Sequence, residues 1–173
     1  MVGLKGPRNL RSVLSGLDPI SRLHLAYTSC LLVGFFPFMP GTFASLLTTG
    51  GFVLIFDRLT LVTQLVLWFF LVLSGVFSSN YLQRHHGWKD PSFIVLDEVA
   101  GQWIALLTLP PRPLYWMLAF IGFRLFDVFK PFGLKRFERM PGGWGVMMDD
   151  VMAGFYTAVV IHLGLGIGQW VRM

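Results

Sequence analysis

Five carboxylates stand in segments too apolar to carry them cheaply: Asp97 and Glu98 in VLDEVAGQW, Asp127 in FRLFDVFKP, and Asp149 and Asp150 in GVMMDDVMAG. A carboxylate at the centre of a membrane helix costs about 2.5–3.5 kcal/mol on insertion scales, and less near the interface. Five held together also repel, so cations must gather them or they take up protons. Hard divalent ions favour carboxylate oxygen. Mg2+ typically takes one or two protein carboxylates and keeps its other positions for water or phosphate oxygens. Two cations accompany the acids. Arg124, Asp127 and Lys130 follow at intervals of three, so a helix persisting to 130 puts a cation one turn from Asp127 on either side. Pro131 disfavours helix at the residue before it, which leaves Lys130 free to swing into the acid group instead. Acids, Arg and Lys at one depth suit a phosphate bridged by metal. The ion neutralises phosphoryl oxygens and activates water, while the cations clamp the remaining charge.

The elements that position these residues are membrane helices. Of 173 residues, 54% are hydrophobic and 13% charged, with a mean hydropathy of +0.64; soluble chains carry about a quarter charged residues. The predicted fold is all-α, a polytopic integral membrane helical bundle with about four spans plus a re-entrant or interfacial N-terminal helix. Residues 1–22 read as a basic cytoplasmic segment without a clear signal peptide, and 23–173 as one membrane-embedded domain. His24 to Phe38 is the re-entrant or interfacial helix, too short to span and interrupted by Pro37. Candidate spans follow at 42–56, 61–79, 92–109, 114–128 and 144–171. Between them lie a polar loop at 83–91, the hard turn Pro110-Pro111-Arg112-Pro113, and a basic loop at 130–143. Tryptophans 88, 103, 116, 144 and 170 fall near span ends and read as interfacial anchors.

Charge asymmetry orients this map. The N-terminus, the 81–92 loop and the 124–141 region hold eleven of the fourteen Lys and Arg, so that side is cytoplasmic. All five acids then fall at the cytoplasmic end. The formal charge of +5 reflects orientation and contact with anionic lipid rather than nucleic acid, and nothing implies a protein partner. Cys30, the one cysteine, leaves no intramolecular disulfide and no Cys cluster. With no Arg nearby, it does not suit a thiolate phosphatase. The adjacent His85 and His86 diverge by about 100° on a helix and do not share a metal; they read as loop residues.

Two further signals serve the same end of the bundle. In MPGTFAS (39–45), Pro40-Gly41 reads as a turn with Thr42 as helix N-cap. Its free N–H groups, with the Thr42 and Ser45 hydroxyls, could bind a phosphate or headgroup. Gly101 and Gly154 each stand four residues after an aspartate, which bares backbone for close approach of a neighbouring helix.

MPGTFAS, DPSFIVLDEVAGQW, FRLFDVFKPF and GGWGVMMDDVMAG, in this order, closely resemble the phosphatidylglycerophosphatase A family across about residues 34–154. The resemblance implies a Mg2+-dependent phosphatase of the bacterial inner membrane that converts phosphatidylglycerophosphate to phosphatidylglycerol, its site facing the cytoplasm. The family's motif positions map onto Asp97, Glu98, Arg124, Asp127, Lys130, Asp149 and Asp150. Glu98, Asp127, Asp149 and Asp150 would hold one or two ions, with Asp97 a ligand or its support. Arg124 and Lys130 would hold phosphate, and Thr42 and Ser45 the headgroup. Ala44 stands where the family usually has Gly, and Gly133 where it often has Pro; neither removes a charge. A phosphatidyl transferase is the rival enzyme, but its DGxxAR signature is missing. A divalent-cation transporter needs polar residues across the whole bilayer depth, against the uncharged run 61–79.

Overall fold

The computed structural model describes residues 10–55, 58–88, 91–131 and 133–170; Lys5, Arg8, Lys89 and Arg172 of the charge map lie outside them. The described regular structure is entirely helical, with seven α-helices: α1 (Leu10–Ser15), α2 (Pro19–Thr28), α3 (Pro40–Leu54), α4 (Leu61–His86), α5 (Leu96–Leu106), α6 (Pro113–Phe129) and α7 (Gly143–Trp170). Their ends follow local chemistry. Asp18 caps α2 by accepting from the Ile20 and Ser21 N–H groups at 3.1 and 3.2 Å, with Pro19 at the first helical position. Thr60 caps α4 through the Thr63 N–H at 3.2 Å, and Gly87 ends it at φ +68°.

The short helix α5 is the centre of the bundle, packed against α7, α3, α6 and α4. Its Ala100, Gly101, Gln102, Trp103, Ala105 and Leu106 are buried. Eleven residues rise only about 16 Å, roughly half a hydrocarbon core. The predicted span over 92–109 is therefore corrected to a buried core helix over Leu96–Leu106. Pro91 holds the chain out of helix before it, and the Val95 N–H is donated to Thr28 O at 3.0 Å. Trp103 is also corrected. It is 5% exposed and sits in the core with Phe123 and Leu134, so it anchors helices rather than the interface.

Among the described residues, two helical stretches are long and apolar enough to cross a membrane, Leu61–His86 and Gly143–Gly166. α4 runs further than predicted. Gln83 to His86 are helical because nothing stops the helix before Gly87, so His85 and His86 occupy its last turn rather than a loop. His86 Nε2 lies 2.8 Å from Ser21 Oγ, and the Tyr81 ring stacks on His24 and on His85, which ties α4 to α2. The predicted helix from His24 instead starts at Pro19 and ends at Thr28; irregular chain with a 3-10 turn at Val33–Phe35 leads to α3. Val13, Leu17 and Leu25 pack with Leu82, Phe93 and Val146. The basic 130–143 loop contains a 3-10 helix, Leu134–Arg139.

The outward surface is apolar. Val62, Phe70 and Phe77 of α4, Val128 and Phe129 of α6 and Leu163 of α7 are exposed. Soluble monomers rarely expose so many large apolar side chains, and a surface of this kind suits a membrane protein.

Candidate active site

Four helix ends meet around one cavity of about 470 Å³. α5 brings Asp97 and Glu98 in its first turn, and α7 brings Asp149 and Asp150 two turns into the helix. α6 ends there with Arg124, Asp127 and Lys130, while α3 begins there with Pro40, Gly41 and Thr42. All five sequence-predicted acids line this cavity together with both predicted cations.

Glycines make the convergence possible. A Cβ on Gly101 would strike the Asp150 carbonyl, and one on Gly154 would strike the Gly101 carbonyl. α5 and α7 therefore cross backbone against backbone, as the two Gly positions led us to expect. A Cβ on Gly41 would strike the Glu98 carboxylate, so the start of α3 also needs a bare backbone there.

Within the cavity the acids have different neighbours. Single carboxylate oxygens of Asp97, Glu98 and Asp150 lie within 4.8 Å of one another, a spacing one cation could serve. Asp97 Oδ1 accepts the Glu98 N–H at 3.1 Å. Glu98 Oε2 is buried with no hydrogen-bond partner, and such an atom is costly unless something cationic meets it. Asp127 pairs with Arg124 at 2.6 Å along α6 and lines the same cavity as Asp150. Asp149 Oδ2 accepts from Lys130 Nζ at 2.6 Å. Five acids against two cations leave an excess of negative charge, and Asp150 is only 4% exposed. The donor set fits a hard divalent cation.

Lys130 reaches the acids because α6 stops at Phe129. Lys130 takes the left-handed conformation at φ +45°, its N–H still bonded to Phe126 O at 2.8 Å. Of the two placements open from sequence, the helix end before Pro131 selects the swing into the cavity. A residue that sequence reasoning missed holds it from the other side: Glu138 Oε1 accepts from Lys130 Nζ at 2.5 Å. Glu138 is the lone acid of the basic stretch LKRFER, which was the available signal. Burial works against the Lys130 charge. The bonds to Asp149 and Glu138, and the charges of Asp149 and Asp150, outweigh it and lift its pKa above the ordinary lysine value.

The 39–45 segment departs from expectation. Pro40 takes the first helical position, so the N-cap is Met39, left-handed at φ +48°, and Thr42 stands inside the first turn. Thr42 still faces the cavity, its buried hydroxyl without a hydrogen-bond partner. Ser45 does not line the cavity; its buried hydroxyl donates to Gly41 O at 2.9 Å. Ser92 and Ile94, not singled out from sequence, complete the wall.

The family model described as phosphatidylglycerophosphatase A matches residues 26–165. A Bacteroides thetaiotaomicron protein named "Putative phosphatidylinositol-3-phosphatase" is 39% identical over 145 residues, 80% of this chain and 88% of that protein. Proteins named phosphatidylglycerophosphatase A from Haemophilus influenzae and Escherichia coli are each 33% identical, over 86% and 75% of this chain and 90% and 76% of their own. No solved structure matches the chain.

Proposed function

The chain belongs to the phosphatidylglycerophosphatase A family, and from that premise we propose that it hydrolyses the terminal phosphate of phosphatidylglycerophosphate, with Mg2+, in phosphatidylglycerol synthesis. It is a lipid phosphatase, and the observation that carries the finer reading is five carboxylates, Arg124 and Lys130 around one cavity. We place the cavity at the cytoplasmic face of a bacterial inner membrane, in a bundle of about four passes, because eleven of fourteen Lys and Arg lie on that side. The lipid tails then stay in the bilayer while the headgroup enters.

Glu98, Asp127, Asp149 and Asp150 would hold the ion, with Asp97 a ligand or its support. When bound, Mg2+ supplies Lewis acidity and charge neutralisation at the phosphoryl oxygens. Arg124 and Lys130 hold those oxygens in an orientation open to attack. Thr42 offers its hydroxyl to the headgroup. One cavity carboxylate accepts the proton of the attacking water; the phosphorus–oxygen bond to the lipid breaks, and the lipid alcohol leaves as it takes up a proton.

The most similar relative reported above carries the name of an inositol-lipid phosphatase, which favours a second reading: the same hydrolysis on phosphatidylinositol 3-phosphate. Purified protein in mixed micelles should be offered both lipids, with Mg2+ or with EDTA. Phosphate release from phosphatidylglycerophosphate that EDTA abolishes is the expected result. Faster release from the inositol lipid would transfer the assignment to it, and full activity in EDTA would sink the metal reading.

A further inference from the structure

We propose that a second cavity receives the uncharged acyl-glycerol part of a phospholipid whose phosphate lies among the acids; this rests on the lipid-phosphatase reading above. The cavity, about 270 Å³, is walled by Gly34, Phe35, Phe36, Pro37 and Phe93. It shares Pro40 and Ser92 with the acid cavity, so one molecule can occupy both. The acid cavity is lined by seven charged side chains; none of the described residues lining the second is charged. Aromatic rings and prolines accept acyl and glycerol carbons, and Pro40 and Ser92 stand where the two cavities meet.

The walls are built rather than incidental. A Cβ on Gly34 would strike the Phe93 carbonyl, so the two segments of the wall touch backbone to backbone. Phe35 stacks on Phe93 at 5.1 Å, and Phe36 on Phe43 at 4.4 Å. The approach is from lipid. Leu31 is 84% and Phe38 73% exposed, on irregular chain that hydrocarbon tolerates only if its polar groups are satisfied. The N–H groups from Ser29 to Phe36 are all bonded, those of Ser29, Cys30 and Leu31 to α2 carbonyls and that of Leu32 to Ser29 Oγ at 3.2 Å, and Pro37 has none. Cys30, Leu31 and Leu32 in succession hold left-handed conformations, a backbone strain that recurs where ligands are clamped.

The test uses the wild-type protein in bilayers containing phosphatidic acid with a diazirine on the first carbons of its acyl chains. Cross-links mapped to 34–37 and 92–93 are expected. Cross-links confined to the outward faces of α4 and α6 would overturn the proposal. A second arm compares Phe36→Ala with wild type on a long-chain lipid phosphate and on acyl-free glycerol phosphate. The ratio of kcat/KM for the two should fall roughly tenfold through KM for the lipid. An unchanged ratio, or an equal loss in kcat for both, would overturn it. A wild-type protein that releases phosphate from no lipid refutes the phosphatase reading alone, because the cross-linking pattern is read without turnover.

Discussion

The two acidic pairs, Asp97-Glu98 and Asp149-Asp150, look like copies in sequence but are supported differently. Asp97 and Glu98 stand in the first turn of α5, where unpaired N–H groups and the helix dipole favour negative charge. Asp97 takes up one such N–H, that of Glu98. Asp149 and Asp150 stand two turns inside α7, where every nearby N–H is committed to the helix and the dipole gives little. Their compensation must come from outside: Lys130 for Asp149, and for Asp150 a site shared with Asp97, Glu98 and Asp127. The pair the helix does not help is thus the pair that depends most on a cation.

That contrast can be broken most severely at Asp150. Asp150→Asn should lower phosphate release by on the order of a thousandfold, against about 10- to 100-fold for Asp97→Asn, a ligand or its support at a helix end that already favours negative charge. Equal losses, read from kcat with saturating Mg2+, would erase the distinction between the pairs. Next comes the crossing that brings the pairs together. Gly154→Val should lower the thermal midpoint by several degrees, corresponding to about 1–3 kcal/mol of overpacking, because its side chain meets the Gly101 carbonyl. Gly166→Val, where a Cβ meets nothing within 4 Å, should leave the midpoint unchanged in the same thermal scan. Smaller again is the outside support of Asp149. Lys130→Met should raise KM for the lipid phosphate about tenfold or more, and Glu138→Gln by only severalfold, since Glu138 acts through Lys130. A Glu138→Gln loss as large as that of Lys130→Met would place Glu138 in direct contact with the substrate.

The acids were legible from sequence because charge inside apolar segments demands a reason, and five at one depth have few reasons. Lys130 was legible because Pro131 constrains it. What escaped depends on three-dimensional company. Glu138 looks like an ordinary loop acid until the 3-10 helix turns it onto Lys130. The cap of α3 was misplaced on Thr42 because the left-handed conformation of Met39 leaves no mark in residue type, although Pro40 favours the first helical position. Trp103 resembles an anchor by location alone; only the packing of α5 against four helices shows it to be core. The length of α5 was obscured for the same reason: a largely buried short helix and a lipid-facing span share one apolar pattern.

The enclosure of α5 also has a mechanical consequence. Because α4 and α7 carry the stretches long enough to cross the bilayer, they absorb a change in its thickness by tilting, whereas α5 is keyed to α7 by Gly101 and Gly154 rather than to lipid. Asp97 and Glu98 on α5 therefore move with Asp149 and Asp150 when α7 tilts, and the acid cavity keeps its internal spacing. Reconstitution into bilayers of shorter or longer acyl chains should leave kcat on a fixed substrate unchanged, so that one catalytic geometry serves membranes of varying thickness.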